Sequence, residues 1–168
     1  MTFNEQWAKH LKEMAPLMKD YELKSFESMG GQETNAFQAN VYFMGVFITH
    51  ARNDGNGGPN FFTHNSNVRE HEEHLPEVPV SIDGSFSFLV DMLVDRQLLC
   101  KYYQNKGIVL IQNGDMENAR ILKFTEGNLT KMFRNKKHDI VQRTVDEKKN
   151  EGYLILNSAY LAKNKIQV

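Results

Sequence analysis

Cysteine is nearly absent from this chain. Cys100 stands alone, so no internal disulfide can brace the fold, and a reducing compartment suits it. Long apolar runs are missing too: nothing approaches the roughly 18 residues of a membrane span, and the first residues lack the apolar core of a signal peptide. A cytosolic protein is expected. Charge of neither sign is in excess, with 20 Lys and Arg against 21 Asp and Glu and a net charge of −1. Such balance offers no general attraction to nucleic acid or to an anionic membrane, so both are set aside as partners, and it leaves a DNA mimic without its acidic surplus. Internal repeats and low-complexity tracts are also absent.

What remains is an ordinary globular composition, 40% apolar and 24% charged, over 168 residues. That length suits one domain able to bury about 70% of its unfolded surface. Eleven Phe, six Tyr and eight Met are plentiful. Some of them are expected to line a groove or an oligomer interface, making homo-oligomerisation a reasonable expectation.

Residues 1–20 carry Phe3, Trp7, Leu11, Met14 and Met18 at helical spacing, with Thr2 or Asn4 as cap and a kink or stop near Ala15 imposed by Pro16. Residues 21–62 read as strands. A first run from Tyr21 to Met29 ends at Gly30-Gly31, and two further strands, Phe37–Phe43 and Val46–Ala51, meet at Met44-Gly45 and run into a glycine-rich loop. Residues 63–82 are a polar connection past Pro76 and Pro79, with a single helical turn opened by Asn67 and supported by Glu70. Residues 83–105 hold the main helix, from about Phe86 to Gln104, capped by Asp83 or Ser85. Its core-facing stripe is Phe86, Leu89, Val90, Leu93 and Cys100, widened by Val94 and Leu98. Residues 106–157 supply Ile108–Ile111, an Asn113-Gly114 turn into Ala119–Phe124, a polar helical face with Leu129, Met132 and Phe133, and a last strand over Tyr153–Leu156. The tail, 158–168, has no legible pattern. The expected class is α+β: an antiparallel sheet of hairpins packed against one main helix, with an N-terminal helix.

The most unusual stretch is Arg52-Asn53-Asp54-Gly55-Asn56-Gly57-Gly58-Pro59-Asn60, followed by Phe61-Phe62. Glycines in such turns reach positive φ, and successive amides can form a nest for an anion. Arg52 would add charge, Asn53, Asp54 and Asn60 hydrogen bonds, and Tyr42, Phe47, Phe61 and Phe62 stacking faces. A candidate ligand site therefore comprises Arg52, Asn53, Asp54, Gly55, Asn56, Gly57, Gly58, Asn60, Tyr42, Phe61 and Phe62. Beside it stands the plain alternative, a wide turn whose Asn and Asp side chains satisfy its own backbone. The loop lacks the Lys-Ser/Thr ending of a phosphate-binding loop, and no strong helix pattern follows it.

Other constellations carry less. His64, His71 and His74 with Glu70, Glu72 and Glu73 include metal-ligand types, but not at the HExxH spacing, and a solvated connection is the preferred reading; neither metal nor cofactor is expected. His50 near Asp54 suggests a general base, the basis of a small-hydrolase alternative, although sequence proximity alone is weak support and an enzyme is disfavoured. Cys100 falls on the core face of a helix, where a thiol behaves as a small hydrophobe. Lys131, Arg134, Lys136, Lys137 and His138 around Phe133 form a basic run, soon followed by Asp139, Asp146 and Glu147, and a solvated face is the default.

The stretch Ala39-Asn40-Val41-Tyr42, the Asn53–Asn60 loop, Val90-Asp91-Met92-Leu93-Val94 and Ile155-Leu156-Asn157 together resemble a loose group of small phage and plasmid proteins with a strand hairpin leading into an Asn-Asp-Gly-x-Gly-Gly loop. The chain departs from that pattern at Met44-Gly45-Val46-Phe47, where a polar turn is usual. The resemblance implies a mobile-element setting in a host cytoplasm, where small proteins often counter host defence, and it brings no catalytic residues. The expected function is an accessory protein that binds a small anionic ligand, a nucleotide immune signal being the leading candidate. The alternative is a protein inhibitor that covers a host defence effector.

Overall fold

The computed structural model describes residues 2–78 and 83–168; Pro79 and the end of the polar connection lie outside the described residues. By its contacts the chain divides into two units, Met1–Val94 and Asp95–Val168.

The first unit opens with a reciprocal cap. The Thr2 hydroxyl accepts from the Glu5 amide while the Glu5 carboxylate accepts from the Thr2 amide, starting α1 (Phe3–Met14). Pro16 then turns the chain into a 3₁₀ segment, Ala15–Asp20, which buries Met18. Four antiparallel strands follow in chain order: β1 (Tyr21–Met29), β2 (Ala36–Phe43), β3 (Val46–Asn53) and the short β4 (Phe61–Phe62). Met44 and Gly45, both at positive φ, make the two-residue turn expected between β2 and β3. The outer edge of β1 is interrupted by a bulge at Ser25-Phe26 and carries Glu22, Lys24 and Glu27, features that discourage pairing along that edge.

Alternation sends Leu23, Phe37, Ala39, Val41 and Ala51 to one face, where they are buried. The polar connection folds more extensively than its sequence suggests. It forms α2 (Asn65–Glu72), two residues earlier than Asn67 would place it. The main helix α3 (Gly84–Tyr103) lies close to its expected bounds, and Ser85, one of the two expected caps, falls inside it. Glu72 of α2 reaches its first turn: its carboxylate accepts from the Ser85 amide and, at 2.6 Å, from the Phe86 amide. The Ser85 hydroxyl instead accepts from the Val78 amide and donates to the Pro76 carbonyl. In the first unit α3 buries Phe86, Leu89, Val90 and Leu93 completely.

The second unit has its own sheet, in the order β6 (Arg120–Leu122), β5 (Ile108–Gln112), β7 (Tyr153–Ile155), antiparallel throughout. Asn113 and Gly114, again both at positive φ, open the connection from β5 to β6, which runs on through a second turn to Ala119. The basic stretch resolves into two helices, α4 (Leu129–Arg134) and α5 (His138–Asn150), and the patternless tail contains α6 (Ser158–Lys163). Ile108, Leu110, Leu129, Met132, Val141, Val145, Ile155, Leu161 and Ile166 form one buried cluster, so the tail is part of the core. Architecture is thus α+β, with two antiparallel sheets where the sequence suggested one. Among the described residues no helix is long and apolar enough to cross a membrane.

Candidate functional site

A one-residue bulge decides what the first sheet shows to solvent. Val41 pairs with Thr49 but Tyr42 pairs with Phe47, so Ile48 is an extra residue in β3. Ile48 and Thr49 are both buried, and Phe47, His50 and Arg52 come to the same outward face. The Asn67 side chain holds the bulge by donating to the Ile48 carbonyl at 2.8 Å. The Thr49 hydroxyl accepts from the His64 amide at 3.1 Å.

Cross-strand neighbours then build the outer face in rows. Glu22, Tyr42 and Phe47 form the first, extended by His64, whose ring meets Phe47 edge-on at 5.3 Å. Tyr42 and Phe47 pack edge to face at 5.6 Å, and the Lys24 ammonium sits 4.5 Å from the Tyr42 ring centre. Lys24, Asn40 and His50 make the second row, with His50 Nδ1 and Asn40 Oδ1 3.0 Å apart. The third holds Gln38, Arg52 and Phe61, the Arg52 guanidinium lying 5.6 Å from the Phe61 ring centre. Phe47 is 39% and Phe61 51% exposed, unusually open for aromatics in a sheet.

The glycine-rich loop is turned inward on its own partners. Asn53 is buried. Its carbonyl oxygen accepts from the Gly55 amide at 2.8 Å and the Thr34 hydroxyl at 3.3 Å, and its amide nitrogen donates to the Gly58 carbonyl and to Asn60 Oδ1, both at 3.0 Å. Asn60 in turn donates to Ser87 and Asp91 of α3. The nest of amides lies elsewhere, at Gln32, Glu33 and Thr34, and it holds the Gly55 carbonyl. The Glu33 carboxylate lies where a side chain at Gly57 would begin. These bonds give the loop a structural role, tying together two turns at one end of the sheet.

Of the residues named from sequence, Arg52, Tyr42 and Phe61 therefore gather on the outer face. Asp54, Asn56, Gly57 and Gly58 are exposed at the loop, whereas Gly55 is buried and Asn60 is engaged with α3. Phe62 points the other way from Phe61, packing edge-on against Phe86 at 5.3 Å. Lys24 and Asn40 were not among the expected site residues. The alternation of Glu22 and Lys24 with Tyr21 and Leu23 was the signal that could have found them.

The histidines do not converge. His64 Nδ1 is 2.8 Å from the Thr63 hydroxyl, while His71 Nδ1 is 2.9 Å from the Tyr21 hydroxyl inside a box of Tyr21, Phe43 and Phe86. Burial lowers the His71 pKa, with a smaller opposing effect of Glu70, and pushes Tyr21 up to about 12. Glu72 is committed to the first turn of α3. Among the described residues no three His, Cys, Asp or Glu side chains are placed to hold a metal ion. His50 Nδ1 is paired with Asn40 on β2 and Asp54 lies beyond the end of β3, which removes the support for the disfavoured general-base alternative.

In the second unit the Cys100 thiol lies 3.5 Å from the Leu156 carbonyl, and burial pushes its pKa up to about 11, conditions that keep it an unreactive thiol. A separate cavity of about 310 Å³ is lined by Leu98, Leu99, Tyr102, Tyr103 and Met116, with the carboxylates Asp95 and Glu117. Burial and the Glu117 charge both raise the Asp95 pKa. Comparison with known proteins finds no matching family model, no similar curated protein and no similar solved structure.

Proposed function

We propose that the first unit is a binding module that docks a protein partner on the outer face of its four-stranded sheet. One observation carries the reading: Phe47 and Phe61 stand exposed and Tyr42 half-buried on one open face, with Lys24 over the Tyr42 ring and Arg52 over the Phe61 ring. Aromatic residues and Arg are the side chains that dominate interface energetics, and an open face suits a macromolecule better than a small molecule, which favours a concave site. Residues 1–94 hold 6 Lys and Arg against 13 Asp and Glu, a formal −7, so a partner with a basic surface is favoured. The mobile-element setting implied by the resemblance would make that partner a host defence effector and this chain its inhibitor.

A small anionic ligand such as a nucleotide is the second reading. Its support is specific: two cations already lie against aromatic rings, the pairing a base and a phosphate would use. Capture from host lysate by the wild-type chain and by a Phe47→Ser/Phe61→Ser variant tests the first reading. A stoichiometric protein held by the wild type and lost by the variant is expected, and equal capture by both would remove the outer face from consideration. Mass spectrometry of what the purified protein releases on heating tests the second, which requires a nucleotide-like species.

A further inference from the structure

The near-neutral charge of the whole chain conceals two opposite halves. Residues 95–168 hold 14 Lys and Arg against 8 Asp and Glu, a formal +6. Within 120–137 the imbalance is sharper still, with Arg120, Lys123, Lys131, Arg134, Lys136 and Lys137 facing only Glu126. We infer that the second unit binds the phosphate backbone of a nucleic acid duplex through α4 and the turn leading into α5.

Two helices joined by three residues make the scaffold. Asn128 caps α4 by accepting from the Lys131 amide at 2.9 Å, and Met132, Val141 and Val145 anchor both helices in one core. Lys136 takes positive φ in the connecting turn, as a short helix-to-helix link requires. The cations are left on the outside. Lys131, Arg134 and Lys136 are exposed and, among the described residues, none has a carboxylate within ion-pair distance; Lys137 makes one long pair with Glu126, 3.7 Å. The Lys131 stem lies against Gly127, and the Phe133 ring packs tilted against His138 at 5.1 Å. The exposed part of α5 carries Asp139, Arg143 and Glu147, a mixed face poorly suited to reading bases. The contacts are therefore to phosphate, and sequence preference is weak.

Fluorescence anisotropy of the full chain with a labelled DNA duplex of mixed sequence tests this. Three phosphate contacts predict an affinity that falls about forty-fold between about 50 and 200 mM salt. Lys131→Gln/Arg134→Gln/Lys136→Asn should abolish most of the binding and flatten that salt dependence. A control of equal charge change, Lys149→Gln/Lys163→Gln/Lys165→Asn, should retain both. Absence of binding at low salt, or equal loss in the two variants, overturns the inference. So does tighter binding to phosphatidylserine vesicles than to the duplex with the same sensitivity to the first variant, which would make the surface a membrane contact.

Discussion

Gly31 and Gly55 touch backbone to backbone: a side chain begun at Gly31 would lie 2.7 Å from the Cα of Gly55. The contact exists because the Gly55 carbonyl is driven into the turn between β1 and β2, where the amides of Gln32, Glu33 and Thr34 reach it at 2.9, 3.0 and 3.2 Å. Gly31→Ala should therefore force the two turns apart and cost about 1–3 kcal/mol, the usual penalty of overpacking. Gly58→Ala is the matched control. Its added methyl meets nothing within 4 Å and its φ needs no glycine, so urea unfolding should place it within about 0.5 kcal/mol of the wild type. Equal midpoints for both variants would mean that the turns are not locked.

Asn53 is the hinge pin of the same corner, and its chemistry is directional. Its amide nitrogen donates to two oxygens, the Gly58 carbonyl and Asn60 Oδ1. Asn53→Asp keeps the shape and replaces that donor with a carboxylate oxygen facing two acceptors. The loss should be about 2–4 kcal/mol, larger than a surface charge change produces, and measurable as a lower urea midpoint with unchanged slope. A variant as stable as the wild type would show that the loop is free, reopening it as a ligand cradle.

Strands, main helix and hairpin turns were legible because each is written locally. Met44-Gly45 and Asn113-Gly114 need positive φ, and the stripe around Leu89 and Leu93 repeats at helical spacing. The inward turn of the glycine loop was not legible, since its partners Gln32, Glu33 and Thr34 lie some twenty residues earlier and only the folded sheet brings them near. The outer face was hidden for a related reason. Simple alternation puts Phe47 on the side opposite His50 and Arg52, and the bulge at Ile48 reverses that. The charge total hid a division that the fold reveals, an acidic first unit balanced against a basic second. Likewise α6 escaped notice because Leu161 and Ile166 give too few apolar positions to show a period, yet both are buried.

His71 makes stability depend on pH in a definite direction. The Tyr21 hydroxyl keeps its proton well above neutrality and lies 2.9 Å from His71 Nδ1, which can accept that proton in a hydrogen bond only while the ring is neutral. Burial among Tyr21, Phe43 and Phe86 lowers the folded-state pKa, whereas the unfolded chain takes up a proton near the ordinary value of 6.5. Below that value the unfolded state binds more protons, so the contribution is full above about pH 6.5 and is lost as pH falls through it. Thermal midpoints measured from about pH 7.5 to 5.5 should fall more for the wild type than for His71→Gln. Parallel decline in the two would assign the pH dependence to other groups.

Asn157 does for the second unit what Asn53 does for the first, through three bonds at a site that is 2% exposed. Its carbonyl oxygen accepts from the Val109 amide at 3.0 Å, and its amide nitrogen donates to the Gln104 and Gly107 carbonyls at 3.0 and 2.9 Å. It thereby ties the end of α3, the entry to β5 and the exit from β7 at one point, beside the bond from the Leu156 amide to the Val109 carbonyl. Asn157→Ala removes the side chain and strands groups that water reaches poorly, at a cost of about 2–4 kcal/mol. Hydrogen exchange gives the sharper reading. The Val109 amide loses its bond to Asn157 Oδ1 in the variant and should exchange far faster, while amides of the first unit keep their wild-type rates. If Val109 stays as protected as in the wild type, a water or a neighbouring carbonyl has replaced the Asn157 oxygen, and the stability loss should shrink to below about 1 kcal/mol accordingly.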